Sequence, residues 1–127
     1  MGNGDKEKKI RILLVDDEEG FVTILAKRMS RRNFDVTTAG SGVEAIKILR
    51  RQDFDIALLD YKMEGLDGVE VLKVFKMMAP ELPVIILTGH GGQEAAADGQ
   101  KYGAADYIRK PHNFEDLVGK IKQVIER

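Results

Sequence analysis

Ile56-Ala57-Leu58-Leu59-Asp60 and, further on, Val84-Ile85-Ile86-Leu87-Thr88 are the stretches on which the fold turns. Each is a short apolar run that does not alternate with polar residues, so both faces of each strand must be covered, as in a parallel sheet. Parallel neighbours cannot be joined by a tight turn and need a crossover, usually a helix. Working outward, Ile10-Val15, Phe34-Thr38 and Asp106-Ile108 read as three further strands, and every gap between strands carries apolar residues at helical spacing.

Glu18 to Arg31 offers Val22, Leu25 and Met29 on one helical face. Ser41-Gly42-Val43-Glu44 matches a capping box and is followed by Ala45, Ile46 and Leu49. A third helix is expected from Asp67, as N-cap, to Met78, with Val71, Leu72, Phe75 and Met78 turned inward, stopping before Pro80. Gln93 to Tyr102 should be a marginal helix, because its inward candidates are Ala95, Ala96 and Gly99, and an interior glycine costs about 1 kcal/mol against alanine. The last helix, after Asn113, carries Leu117, Ile121, Val124 and Ile125. The expectation is an α/β domain, a (βα)5 doubly wound sheet over residues 10–127, preceded by a disordered tail at residues 1–9.

The chain of 127 residues is the size of one domain, and 43% hydrophobic with 32% charged residues is ordinary for a folded soluble protein. A formal net charge of -1 argues against direct nucleic-acid binding. The absence of cysteine excludes disulfides, thiolate catalysis and thiolate zinc sites, which suits the cytoplasm. No apolar run approaches the roughly 20 residues that cross a bilayer, so no membrane association is expected.

In an open parallel sheet, ligands bind beyond the carboxyl ends of the strands. Here those ends carry Asp16 and Asp17, Asp60, Thr88 and Lys110. Clustered carboxylates drive one another toward the protonated form unless a cation neutralises them. Without His or Cys ligands the cation that suits them is Mg2+, which takes oxygen ligands and leaves room for a phosphate oxygen. A carboxylate can itself attack phosphorus, and Lys110 and Thr88 would then meet two of the phosphoryl oxygens.

As a set, these motifs resemble the receiver domain of two-component response regulators across residues 10–127. The family's acidic pair falls on Asp16 and Asp17, its phosphoacceptor on Asp60, its switch hydroxyl on Thr88, its lysine on Lys110 and its reorienting aromatic on Tyr107. The resemblance implies a 2-1-3-4-5 sheet and a magnesium ion on Asp16, Asp17, Asp60 and the backbone carbonyl of Lys62. It also implies a histidine kinase or phosphotransfer protein as donor, a downstream protein or output domain as target, a homodimer on phosphorylation, a switch in place of an enzyme, and a cis Lys110-Pro111 bond. The chain would be a stand-alone receiver or a segment of a longer regulator.

Three positions depart from the family's habit: Glu64 where proline is common, His112 after Lys110-Pro111, and Lys62 two residues past the acceptor. They bear on phosphoryl lifetime and partner surface, and Lys62 is expected to reach the rim of the site. His90 and His112 have no ligand spacing and are expected on the surface. A flavin binder of the same fold is disfavoured because Asp16-Asp17-Glu18-Glu19 repels phosphate. A haloacid-dehalogenase-type phosphatase is disfavoured because Lys62 stands where it needs a second Asp. The face made by Gln93-Tyr102, the strand at Asp106-Ile108 and the final helix is the expected docking surface.

Overall fold

Strands and helices alternate along the chain in the computed structural model, which describes residues 8–89, 92–110 and 113–126. The strands are β1 (Ile10–Val15), β2 (Phe34–Ala39), β3 (Ile56–Asp60), β4 (Val84–Thr88) and β5 (Asp106–Arg109). The helices are α1 (Glu19–Ser30), α2 (Gly42–Leu49), α3 (Gly68–Met78), α4 (Gly92–Tyr102) and α5 (Phe114–Ile125). Every pairing is parallel and the sheet order is β2-β1-β3-β4-β5, the expected 2-1-3-4-5.

Because side chains alternate along a strand, the sheet divides its apolar residues between two layers. Ile12, Leu14, Ile56, Leu58, Ile85 and Leu87 pack against Val22, Leu25 and Met29 of α1 and Leu117, Ile121 and Val124 of α5. Leu13, Val15, Ala57, Leu59 and Ile86 pack on the other face with Ala45 of α2, Val71, Leu72 and Phe75 of α3, and Ala95 of α4. The unalternating runs of β3 and β4 are therefore buried throughout, and each fully buried Leu, Ile or Val contributes about 1.5–3 kcal/mol.

Capping follows the sequence. The side chains of Ser41, Asp67 and Asn113 accept from the main-chain N–H three residues on, each at 3.1 Å. Glu44 differs in detail, since its Oε1 accepts from Gly40 N, at 2.7 Å, where a capping box would use Ser41 N. One inward assignment is corrected: Met78 is 37% exposed. The helix ends there, the backbone leaves helical geometry at Ala79, and a turn closed by Leu82 N–H to the Ala79 carbonyl brings Leu82 into the core in its place.

The glycine within α4 has a packing reason. A Cβ at Gly99 would stand 3.2 Å from Ile86 Cδ1 and 3.3 Å from Ala104 Cβ, so the small residue lets α4 lie close to β4. Gly103, at φ 94°, ends the helix in the left-handed region. Among the described residues no helix is long and apolar enough to cross a membrane. Most of the expected tail (residues 1–7), His90, His112 and the Lys110-Pro111 bond lie outside the described residues.

Candidate functional site

Val15 of β1 is paired with Leu59 of β3, so Asp16 and Asp60, the next residues along, leave the sheet side by side. Asp60 is in turn paired with Leu87, which puts Thr88 at the same edge. Lys110 N–H donates to the Thr88 carbonyl at 2.7 Å and so enters from the neighbouring strand. One carboxylate oxygen each from Asp16, Asp17 and Asp60 lies within 4.8 Å of the others. Asp16, Asp60 and Thr88 are buried, while Asp17 is exposed.

The loops hold these groups through their own main chain. Asp16 Oδ1 accepts from Glu18 N–H at 2.9 Å, and Asp17 Oδ2 accepts from Glu64 N–H at 3.3 Å, which ties the loop after β1 to the loop after β3. The main-chain N–H of Lys62 favours the ionised form of the Asp60 carboxyl. The Lys110 ammonium lies 2.8 Å from Asp16 Oδ2, 2.8 Å from Glu18 Oε1 and 3.6 Å from Asp60 Oδ1. It also stands 4.5 Å from the centre of the Phe21 ring.

Burial pushes the Asp60 carboxyl up to about 7, and repulsion from Asp16 and Asp17 adds to it; Lys110 and the Lys62 N–H oppose this without cancelling it. Burial alone would lower the Lys110 ammonium, but its bonds to Asp16 and Glu18 outweigh that and hold it firmly protonated. One ammonium thus leaves the acidic group under-neutralised. Oxygen-only donors with excess negative charge fit a hard divalent cation such as Mg2+, so the residues present suit the ion that the sequence implied.

Every expected site residue among Asp16, Asp17, Asp60, Thr88 and Lys110 is brought to this edge. Tyr107 is not part of it: it sits on β5 with its side chain turned out, 40% exposed. Lys62 is exposed, and its ammonium lies 5.9 Å from the centre of the Tyr61 ring.

Three residues were missed in the sequence, one that contacts the site and two that pack behind it. Glu18 stands at the N-cap of α1 yet makes no side-chain cap bond, because its carboxylate is on Lys110. Tyr61 is buried, with its hydroxyl donating to Asp98 of α4 at 2.7 Å. Gly68 packs against the end of β3 so closely that a Cβ would stand 2.6 Å from the Asp60 carbonyl oxygen. Only Gly68 carried a local signal, as the glycine directly after the Asp67 cap.

Residues 12–122 match the response regulator receiver domain family. The transcriptional regulatory protein ZraR of Escherichia coli K12 is 36% identical over 116 residues, covering 91% of this chain and 26% of that protein. The chain thus spans about a quarter of the length of this curated relative. A response regulator receiver domain from Clostridium thermocellum superposes with a TM-score of 0.88 at 34% identity, covering 93% of this chain and 95% of that one. The receiver domain of NtrX from Brucella abortus gives 0.86 at 32% identity, with 91% and 98% covered. Matched across nearly its whole length in sequence, sheet order and helix arrangement, the chain belongs to the response regulator receiver domains of two-component systems.

Proposed function

We propose that the chain takes a phosphoryl group onto Asp60 from the phosphohistidine of a histidine kinase or phosphotransfer protein, and that the modified domain offers an altered surface to a downstream protein or output domain. The observation that carries this reading is the meeting of Asp16, Asp17 and Asp60 within 4.8 Å beside the Lys110 ammonium. Asp16, Asp17, Asp60 and the backbone carbonyl of Lys62 would hold Mg2+. Bound there, the ion supplies positive charge toward the carboxylates and the phosphoryl oxygens.

The Asp60 carboxylate oxygen attacks phosphorus as the P–N bond to the donor imidazole breaks. Lys110, already 3.6 Å from Asp60, turns its ammonium to one phosphoryl oxygen. The Thr88 hydroxyl donates to another, which draws it toward Asp60, and Tyr107 changes its orientation on β5 in response. Aligning and neutralising are the whole of the catalytic task in such a transfer. The domain acts as a cytoplasmic switch in place of a turnover enzyme, and its balanced charge directs it to protein partners, a second modified copy among them, not to nucleic acid.

The test is uptake of a small phosphodonor or of beryllofluoride, read by intact mass with magnesium present. The wild type should gain one adduct and Asp60→Asn none. Equal uptake by both would remove Asp60 from the acceptor role, and turnover of a generic phosphate ester would indicate a phosphatase.

A further inference from the structure

Tyr61 follows Asp60 directly, and its main chain is fixed on two sides. Its N–H donates to the Leu87 carbonyl at 2.8 Å, and its carbonyl accepts from Gly68 N–H at 3.0 Å. The ring is buried at 7% exposure, and the hydroxyl crosses to α4, where it donates to Asp98 Oδ2 at 2.7 Å. Burial, then the Asp98 carboxylate and Glu94, hold the phenol well above its usual range, so the proton stays on Tyr61 and the hydroxyl remains the donor of this bond.

The helix at the far end of this bond has few large side chains to hold it. At its last residue Tyr102 is partly buried against the same apolar layer, under the Lys73 ammonium at 4.4 Å, and the rest of the helix lacks such an anchor among its described residues. Among its described residues the buried ones are Ala95 and Gly99, which lie close to the sheet but have almost no side chain to interlock with it. An element held by few apolar contacts opens locally at low cost, so a single bond to a charged acceptor is a large share of what positions it.

We propose that Tyr61 is a tether by which a change at Asp60 reaches α4, through the Tyr61–Asp98 hydrogen bond. This rests on Asp60 being the phosphoacceptor. A shift of the acceptor's main chain moves Tyr61 with it, since the two are consecutive and Tyr61 is clamped between β4 and α3. The hydroxyl then pulls or releases Asp98, a partly buried residue in the middle of α4.

Amide hydrogen exchange on the whole domain, with and without beryllofluoride, tests it in wild type, Tyr61→Phe and Asp98→Ala. Tyr61→Phe keeps the ring and removes the hydroxyl; Asp98→Ala removes the acceptor from a partly buried helix position, so neither threatens the core. Without beryllofluoride, residues 94–102 should exchange about tenfold faster in both variants, the scale of one hydrogen bond to a charged acceptor, while α1 and α5 are unchanged. With beryllofluoride, the response of α4 should fall to less than half of wild type, although adduct mass on Asp60 is the same. Loss of protection spread over all helices, or a full α4 response in both variants, would overturn the tether. Failure of wild type to form the adduct would instead refute the acceptor reading and take the signalling role of Tyr61 with it, whereas a normal adduct with an α4 indifferent to Tyr61 refutes the tether alone.

Discussion

Replacing Gly68 with alanine puts a methyl group where the end of β3 already stands. Its Cβ would lie 2.6 Å from the Asp60 carbonyl oxygen, 2.7 Å from Tyr61 Cα and 2.8 Å from the Tyr61 carbonyl oxygen. All three are main-chain atoms, so no rotamer change relieves the overlap. With carbon contacts settling near 3.5 Å or more, α3 must retreat by roughly 1 Å or the acceptor strand must bend. Overpacking of this kind costs about 1–3 kcal/mol, against which the better helix propensity of alanine returns at most about 1 kcal/mol. Gly119→Ala is the matched control, in the middle of α5, where a Cβ meets nothing within 4 Å and the variant should gain about 0.5–1 kcal/mol. Urea denaturation should place the two variants on opposite sides of the wild type, and Gly68→Ala should also take up beryllofluoride more weakly because Asp60 moves. Equal stability of the two variants, with undiminished uptake in Gly68→Ala, would refute the close approach of α3 to the acceptor.

Asp17→Asn should reduce magnesium affinity by about tenfold or more while leaving the fold intact, since Asp17 is exposed and an amide oxygen can still accept from Glu64 N–H; isothermal titration showing wild-type affinity would contradict its place in the metal set. Away from the site, the Arg11 guanidinium beside Asp55 holds that carboxyl below its usual range. The pair's contribution is present above the unfolded pKa of an aspartate and fades as pH falls through the lower folded value, so wild type should lose more stability than Asp55→Asn on acidification from about pH 5 to pH 2; parallel losses would give the pair no role. Lys62→Ala should quicken loss of the phosphoryl group by a few-fold at most, as befits an exposed charge, and an unchanged or slower rate would leave Lys62 as surface charge alone.

The sheet was legible because β3 and β4 announce their double burial in unbroken apolar runs, and the site because its residues follow directly on strand ends. Caps were legible for the same reason: Ser41 and Asp67 act on atoms three residues away. What escaped was settled by contacts between segments distant in the chain. Nothing near Glu18 indicates that its carboxylate serves Lys110 and leaves α1 uncapped, and nothing near Tyr61 points to Asp98. Met78 kept the helical period of Val71 and Phe75, but the chain turns at Ala79 and Leu82 takes the inward place. Gly99 reads in the sequence only as a weakness of α4, but it is also what lets that helix approach Ile86.

The most direct test is to locate the modified residue. The protein is treated with a small phosphodonor and magnesium, reduced with borohydride, which converts an aspartyl phosphate to homoserine, and mapped by peptide mass spectrometry. The account predicts homoserine at position 60 and nowhere else, with none formed in Asp60→Asn. Label on His90, His112, Asp16 or Asp17 with position 60 unmodified would contradict it.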